Sequence, residues 1–188
     1  MSQAIAVEAL PESERRGLPE NLVFGSALAD HMFSQHYRAG SGWGDARVHG
    51  LSDIRLSPAA AVLHYGQEIF EGMKAYRGPD GTISLFRPEQ NFRRFNASAR
   101  RMVMPEVPED VHLAAVSALV RLDERWVPAR PGASLYIRPA MISSSPKLGL
   151  GAAADYLHFI ITSPVGPYFA TGFEPVSVYV SDTARRAV

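Results

Sequence analysis

A chain of 188 residues has room for one well-buried domain and part of a second, but not for a large two-domain enzyme. Its 19 Lys and Arg cancel its 19 Asp and Glu, which removes any global field toward nucleic acid or an anionic membrane, while 46% hydrophobic residues exclude a disordered chain. Cysteine is absent, so disulfides, thiol nucleophiles and thiolate metal sites are excluded together, in keeping with a reducing cytoplasm.

Residues 1–21 are polar, carry two prolines and show no sustained period, so they read as an extended or loosely ordered lead-in without the apolar core of a secretion signal. No apolar stretch approaches the roughly 18 residues of a membrane helix, and a soluble, cytoplasmic protein is expected. Val23 to Tyr37, VFGSALADHMFSQHY, alternates like an antiparallel strand and enters a second strand through the glycine-punctuated RAGSGWGDARV. Ser57-Pro58 has the form of a helix start, and the helix formers that follow predict one long helix closing at Gly72 or Met73.

KAYR and TISLF flank Gly-Pro-Asp-Gly and predict a hairpin. Arg87-Pro88 opens a second helix in which Phe92, Phe95, Ala99 and Met102 form a core-facing stripe, and a third helix starts near Glu109. Two strands follow, ASLYIRPAMIS and DYLHFIITSPV, joined by a loop that holds PKLGL. The Gly/Pro/aromatic segment 166–176 reads as a linker, after which VSVYVSD reads as a strand. Interleaved strands and helices, with a hairpin and longer crossovers, predict an α/β fold built on a mixed sheet.

Polar side chains on apolar elements are the candidate chemistry. Tyr136 and Arg138, two apart on a strand, share a face and offer a phenol and a guanidinium to one ligand, although the same spacing describes a surface ion pair at a strand end. Arg93 and Arg94 fit a solvated helix face equally well. The six histidines have no pair at i, i+4, so no metal site is expected. Walker, nucleophile-elbow and dinucleotide-binding sequences are missing. Lysine occurs only at Lys74 and Lys147, each in a position that suits a solvated side chain.

The stretch LHYGQEIFEGMKAYRGPDGTISLFRPEQNFRRF, residues 63–95, resembles the class IV (fold-type IV) aminotransferases, specifically their branched-chain amino-acid members. VFGSALADHM and GWGDARV before it, and WVP, SLYIRPAMI, PKLGL and ITSPVGPYF after it, extend the resemblance in colinear order over roughly residues 22–188. It implies a small α/β N-terminal domain over 22–165, the linker 166–176, and the first strand of a larger second domain over 177–188.

By position, the resemblance implies that Arg94 binds the phosphate of pyridoxal 5'-phosphate and that Tyr65 and Arg138 orient the substrate α-carboxylate. Phe24, Tyr136 and Tyr168 would wall the pocket for the branched side chain. Leu148 and Leu150 would be lent to the active site of the neighbouring subunit, hence a homodimer. The implied reaction is a ping-pong amino transfer from leucine, isoleucine or valine to 2-oxoglutarate. The Schiff-base lysine, the acidic partner of the pyridine nitrogen and the rest of the phosphate site would belong to the second domain beyond these residues, so no catalytic residue is assigned within the chain. Other readings are an inactive homologue serving as a binding or dimerisation module, or another class IV enzyme such as a D-amino-acid aminotransferase. FEGMKAYR, SLYIRP and SPVGPYF read against the latter.

Overall fold

The computed structural model describes residues 4–149, 151–169, 172 and 174–184. Among them one sheet contains β1 (Ala6–Val7), β2 (His31–Arg38), β3 (Gly42–Gly50), β4 (Glu68–Phe70), β5 (Met73–Arg77), β6 (Ile83–Leu85), β7 (Ser134–Ser143) and β8 (Asp155–Val165). The spatial order is β1-β3-β2-β8-β7-β5-β6, with β4 also on β7. Every pairing is antiparallel except β1 with β3, which makes the sheet mixed.

Period-two alternation sorts the side chains of β7. Leu135, Ile137 and Met141 are fully buried, in two clusters shared with helices α2 (Pro88–Arg101) and α3 (Glu109–Leu122). Phe92, Phe95 and Ala99 of α2 meet Met141, while Val111, Ala115, Val116 and Leu119 of α3 meet Leu135 and Ile137. Burying each of the larger side chains contributes roughly 1.5–3 kcal/mol. Tyr136 and Arg138 therefore point to the opposite face, away from α2 and α3.

Between the helices and the sheet lie two buried histidines. His112 of α3 stacks on His158 of β8 at 5.2 Å with the rings 13° from parallel, walled by Phe33, Phe92 and Phe95. None of their four ring nitrogens has a hydrogen-bond partner among the described residues. Burial pushes His112 down to about 4, against an opposing pull from the Glu71 carboxylate, and pushes His158 well below the ordinary imidazole range.

Four sequence expectations are corrected. The long helix from residue 57 is only α1 (Ala61–Tyr65), because Gly66 adopts a left-handed conformation (φ 60°) that closes it. The chain then straightens into β4, which satisfies the edge of β7. Residues 23–30 are not strand: Ser26 donates its N–H to the Val23 carbonyl in a turn, and β2 begins at His31. Met102 does not continue the α2 stripe but is 38% exposed. Val103 turns left-handed and Met104 is buried instead, its N–H bonded to the Ala99 carbonyl. Residues 174–184 form no strand, with Val178, Tyr179 and Val180 exposed, since no sheet edge lies beside them to accept their hydrogen bonds.

The N-terminal segment is also better held than its composition implies. β1 adds to the edge of β3, and Leu10 donates its N–H to Nε2 of buried His31, whose Nδ1 sits 2.6 Å from Asp123. Arg16 binds Asp30 through its backbone N–H and its Nε, both at 3.1 Å, and Asp30 also receives the indole N–H of Trp126 at 2.8 Å. Among the described residues, no helix is long and apolar enough to cross a membrane.

Candidate active site

The face of β7 turned away from α2 and α3 carries the most concentrated chemistry. Arg138 donates from Nε (3.1 Å) and Nη2 (2.7 Å) to the hydroxyl of Tyr136, which fixes both side chains side by side. The Arg138 guanidinium carbon lies 4.3 Å from the centre of the Phe70 ring, a cation–π contact that covers one side of the plane. Phe24 meets Tyr136 edge-on at 5.0 Å. Phe24, Leu28, Tyr136, Arg138, Ile161 and Ser163 bound a cleft of about 220 Å³. It is an apolar space with one permanent cation at its wall.

Gly72 makes this packing feasible. It lies between β4 and β5, which keep one continuous register against β7, and a Cβ there would collide with the Tyr136 hydroxyl. Alternation along this segment sends Phe70 and Gly72 to the Arg138 face and Ile69, Glu71 and Met73 to the helix face.

On that other side, Arg94 of α2 donates from Nε and Nη2 to the two carboxylate oxygens of Glu71, each at 2.8 Å. Asn91 adds Nδ2 bonds to the same carboxylate (3.1 Å) and to the Gly72 carbonyl (3.0 Å). Hydrogen bonds from the guanidinium to Glu71 and its charge hold Arg94 above the ordinary arginine range. Arg94 opens on a groove of about 750 Å³ whose walls include Phe70, Ser98, Arg101 and Met102.

Tyr65 stands at the end of α1 and donates its hydroxyl to the Leu148 carbonyl, so α1 and the 146–149 segment are tied together. Leu148 is 61% exposed, and Leu150 lies outside the described residues. Tyr168 is 85% exposed with its ring against Phe169, apart from the Phe24–Tyr136 contact. Lys74 is half-buried directly across from Tyr136. Among the described residues no group of His, Asp and Glu is placed to hold a metal ion.

No protein-family model matches the chain. Curated relatives do, along nearly its whole length. A Streptomyces coelicolor protein named "Probable branched-chain-amino-acid aminotransferase" is 49% identical over 180 residues, 95% of this chain and 50% of its own. The branched-chain-amino-acid aminotransferase of Mycolicibacterium smegmatis is 46% identical over 94% of this chain and 48% of its own, and branched-chain-amino-acid transaminase 1 of Bacillus subtilis 45% over 90% and 48%. The chain belongs to the branched-chain aminotransferase family.

It spans about half the length of the curated relatives it matches. The fold agrees. A branched-chain aminotransferase from Thermoproteus uzoniensis, solved with norvaline, superposes with a TM-score of 0.52 at 22% identity, covering 73% of this chain and 43% of that one. The T.th. branched-chain amino acid aminotransferase, solved with pyridoxamine 5'-phosphate, gives 0.50 at 22% identity over 81% and 42%.

In this chain the residues singled out by resemblance fall into separate groups: Phe24, Tyr136 and Arg138 together, Arg94 across the strand from them, Tyr65 with Leu148, and Tyr168 at the surface. Phe70, Glu71 and Gly72, which link the first two groups, were not singled out in the sequence. The signal was present in the alternation of EIFEGM, an inward Ile69 and Met73 around an outward Phe70, but a continuous helix through this stretch hides it.

Proposed function

We propose that this chain provides the small-domain half of a pyridoxal-phosphate-dependent branched-chain transaminase, binding part of the cofactor phosphate and the amino-acid substrate. The observation that carries the reading is the Arg138 guanidinium set at the wall of a small apolar cleft. Arg138 supplies a fork for an α-carboxylate, held in place by Tyr136 and Phe70. Phe24, Leu28 and Ile161 supply a surface on which leucine, isoleucine or valine buries its side chain and a polar amino acid leaves its own groups unpaired.

The residues present fit the cofactor at its phosphate. Arg94 spends one edge of its guanidinium on Glu71 and presents the remainder to an open groove that Arg101 also lines. Pyridoxal phosphate, when bound, supplies the electron sink that amino transfer requires. The part of this chain in that chemistry is to anchor a phosphate through Arg94, to orient a carboxylate through Arg138, and to exclude water from the side-chain pocket. The product pair is a branched 2-oxo acid and glutamate, with 2-oxoglutarate as the amino acceptor.

Tyr65 and Leu148, both exposed and joined by the Tyr65 hydroxyl, lie where α1 meets the 146–149 segment, and we place the second subunit of a homodimer there, as the resemblance implies for Leu148 and Leu150. Tyr168, which the resemblance assigns to the wall of the same pocket, lies exposed at the start of the linker.

The test joins this chain to the C-terminal half of the Streptomyces coelicolor relative and measures amino transfer from leucine, isoleucine and valine to 2-oxoglutarate. The expected chimera loads cofactor and prefers these three substrates over aspartate and serine. A folded, cofactor-loaded chimera with no such preference would overturn the reading.

A further inference from the structure

Arg94 sits on the exposed face of α2 with its side chain 60% accessible, and a lone arginine there would sample many rotamers. Glu71 is different: its side chain is only 13% accessible, and its backbone N–H is bonded to the Pro139 carbonyl of β7 at 3.0 Å. Its carboxylate collects N–H groups from Arg94 Nε, Arg94 Nη2 and Asn91 Nδ2, with Gly72 N at 3.3 Å as a fourth. Exposed ion pairs usually do little because both partners are mobile. Here one partner is fixed to the sheet, so the restraint runs from Glu71 to Arg94.

We infer that Glu71 is the positioning residue for Arg94: it holds the guanidinium by its Nε–Nη2 edge so that the Nη1 side faces the groove ready for a phosphate monoester. The inference rests on the proposed reading that Arg94 is the phosphate contact, and deepens it by naming the group that fixes it. Two parallel hydrogen bonds set both the position and the plane of the guanidinium, which a single contact cannot do. Asn91 clamps Glu71 from the side and ties it to the Gly72 carbonyl, so the clamp also spans to the segment beneath Tyr136.

The test is calorimetric titration of the chain with pyridoxine 5'-phosphate and with pyridoxine, two probes that differ by the phosphate and have no aldehyde to react with lysines. The wild-type chain is expected to prefer the phosphate ester, and Arg94→Ala to lose that preference. Glu71→Gln, nearly isosteric, is expected to weaken pyridoxine 5'-phosphate by about tenfold, the scale of one charge-assisted hydrogen bond, and to leave pyridoxine unchanged. Loss of fold would lower both affinities alike. Asn91→Ala, should Glu71→Gln not fold, is expected to give a smaller loss in the same direction.

If Arg94→Ala loses the preference while Glu71→Gln and Asn91→Ala keep it, the positioning role is wrong and the phosphate contact stands. Tighter binding in Glu71→Gln would make Glu71 a competitor for Arg94, which also overturns the inference. Equal affinities for the two probes in the wild-type chain, or an unchanged preference in Arg94→Ala, remove the phosphate contact and the inference together.

Discussion

Gly72 lies against the hydroxyl of Tyr136 so closely that no side chain fits between them. The same hydroxyl accepts both hydrogen bonds from Arg138, so the glycine, the phenol and the guanidinium form one packed unit. Glycine is required here by space. Gly72→Ala is therefore expected to displace Tyr136 and break the Arg138 contacts, at about 1–3 kcal/mol. In an active chimera it should raise KM for leucine more than it lowers kcat. Combining it with Tyr136→Phe removes the colliding oxygen, the nearest of the contacting atoms, and should recover part of the stability lost in Gly72→Ala; a double variant no more stable than Gly72→Ala would refute the steric account, with urea unfolding as the measurement.

Val103 has φ 54°, a left-handed conformation that β-branched side chains rarely adopt, and its side chain is 79% exposed. The turn it makes lets Met104 close the end of α2. Replacing it by glycine relieves the strain and gives up almost no packing. Val103→Gly is expected to stabilise the chain by about 1 kcal/mol, visible as a rise of a few degrees in Tm. A lower Tm would mean that the exposed valine has a packing role.

Much of this fold was legible because its elements carry local signals. Pro88 starts α2 and Pro108 precedes α3, while alternation along β7 is enough to put Tyr136 and Arg138 on one face. What was hidden depends on contacts distant in sequence. A left-handed Gly66 turns a helical pattern into β4, and only the partner strand β7 shows why Phe70 and Glu71 project to opposite sides. The roles of Glu71, Gly72 and Asn91 were likewise hidden, since each depends on a neighbour 19 to 64 positions away. Arg94, by contrast, was reached by family resemblance and not by its own spacing, which fits a solvated helix face equally well.

The N-terminal segment yields a third prediction. Asp30 has a 1% exposed side chain, and although burial works to raise its pKa, hydrogen bonds from Trp126 and Arg16 hold it below the ordinary aspartate range. Asp30→Ala leaves the Trp126 indole and the Arg16 backbone N–H without their acceptor, which costs about 2–4 kcal/mol. Limited proteolysis should then cut between residues 4 and 18 before any other site. Equal protection of wild type and variant would show that β1 and the Leu10–His31 bond hold the segment without it.

The buried His112–His158 stack makes stability depend on pH, and the sign follows from where each state titrates. In the unfolded chain both imidazoles protonate near 6.5, whereas in the folded chain burial keeps His112 neutral down to about 4 and holds His158 well below the ordinary imidazole range. Above pH 6.5 both states are neutral and the pair contributes no slope. As pH falls from about 6.5 toward 4 the unfolded chain binds protons first, so folding is progressively disfavoured, by at most about 1.4 kcal/mol per pH unit for each histidine. His112 alone then costs roughly 3 kcal/mol by pH 4, a large share of the usual stability of a domain. Asp30 acts in a lower window, because its depressed pKa is lost only below the ordinary aspartate value. Urea midpoints taken between pH 7 and 5 separate the two. Wild type should fall across that range, and His112→Leu/His158→Leu, which places aliphatic side chains among Phe33, Phe92 and Phe95, should stay nearly flat. An equally steep fall in the double variant would assign the acid sensitivity to other groups.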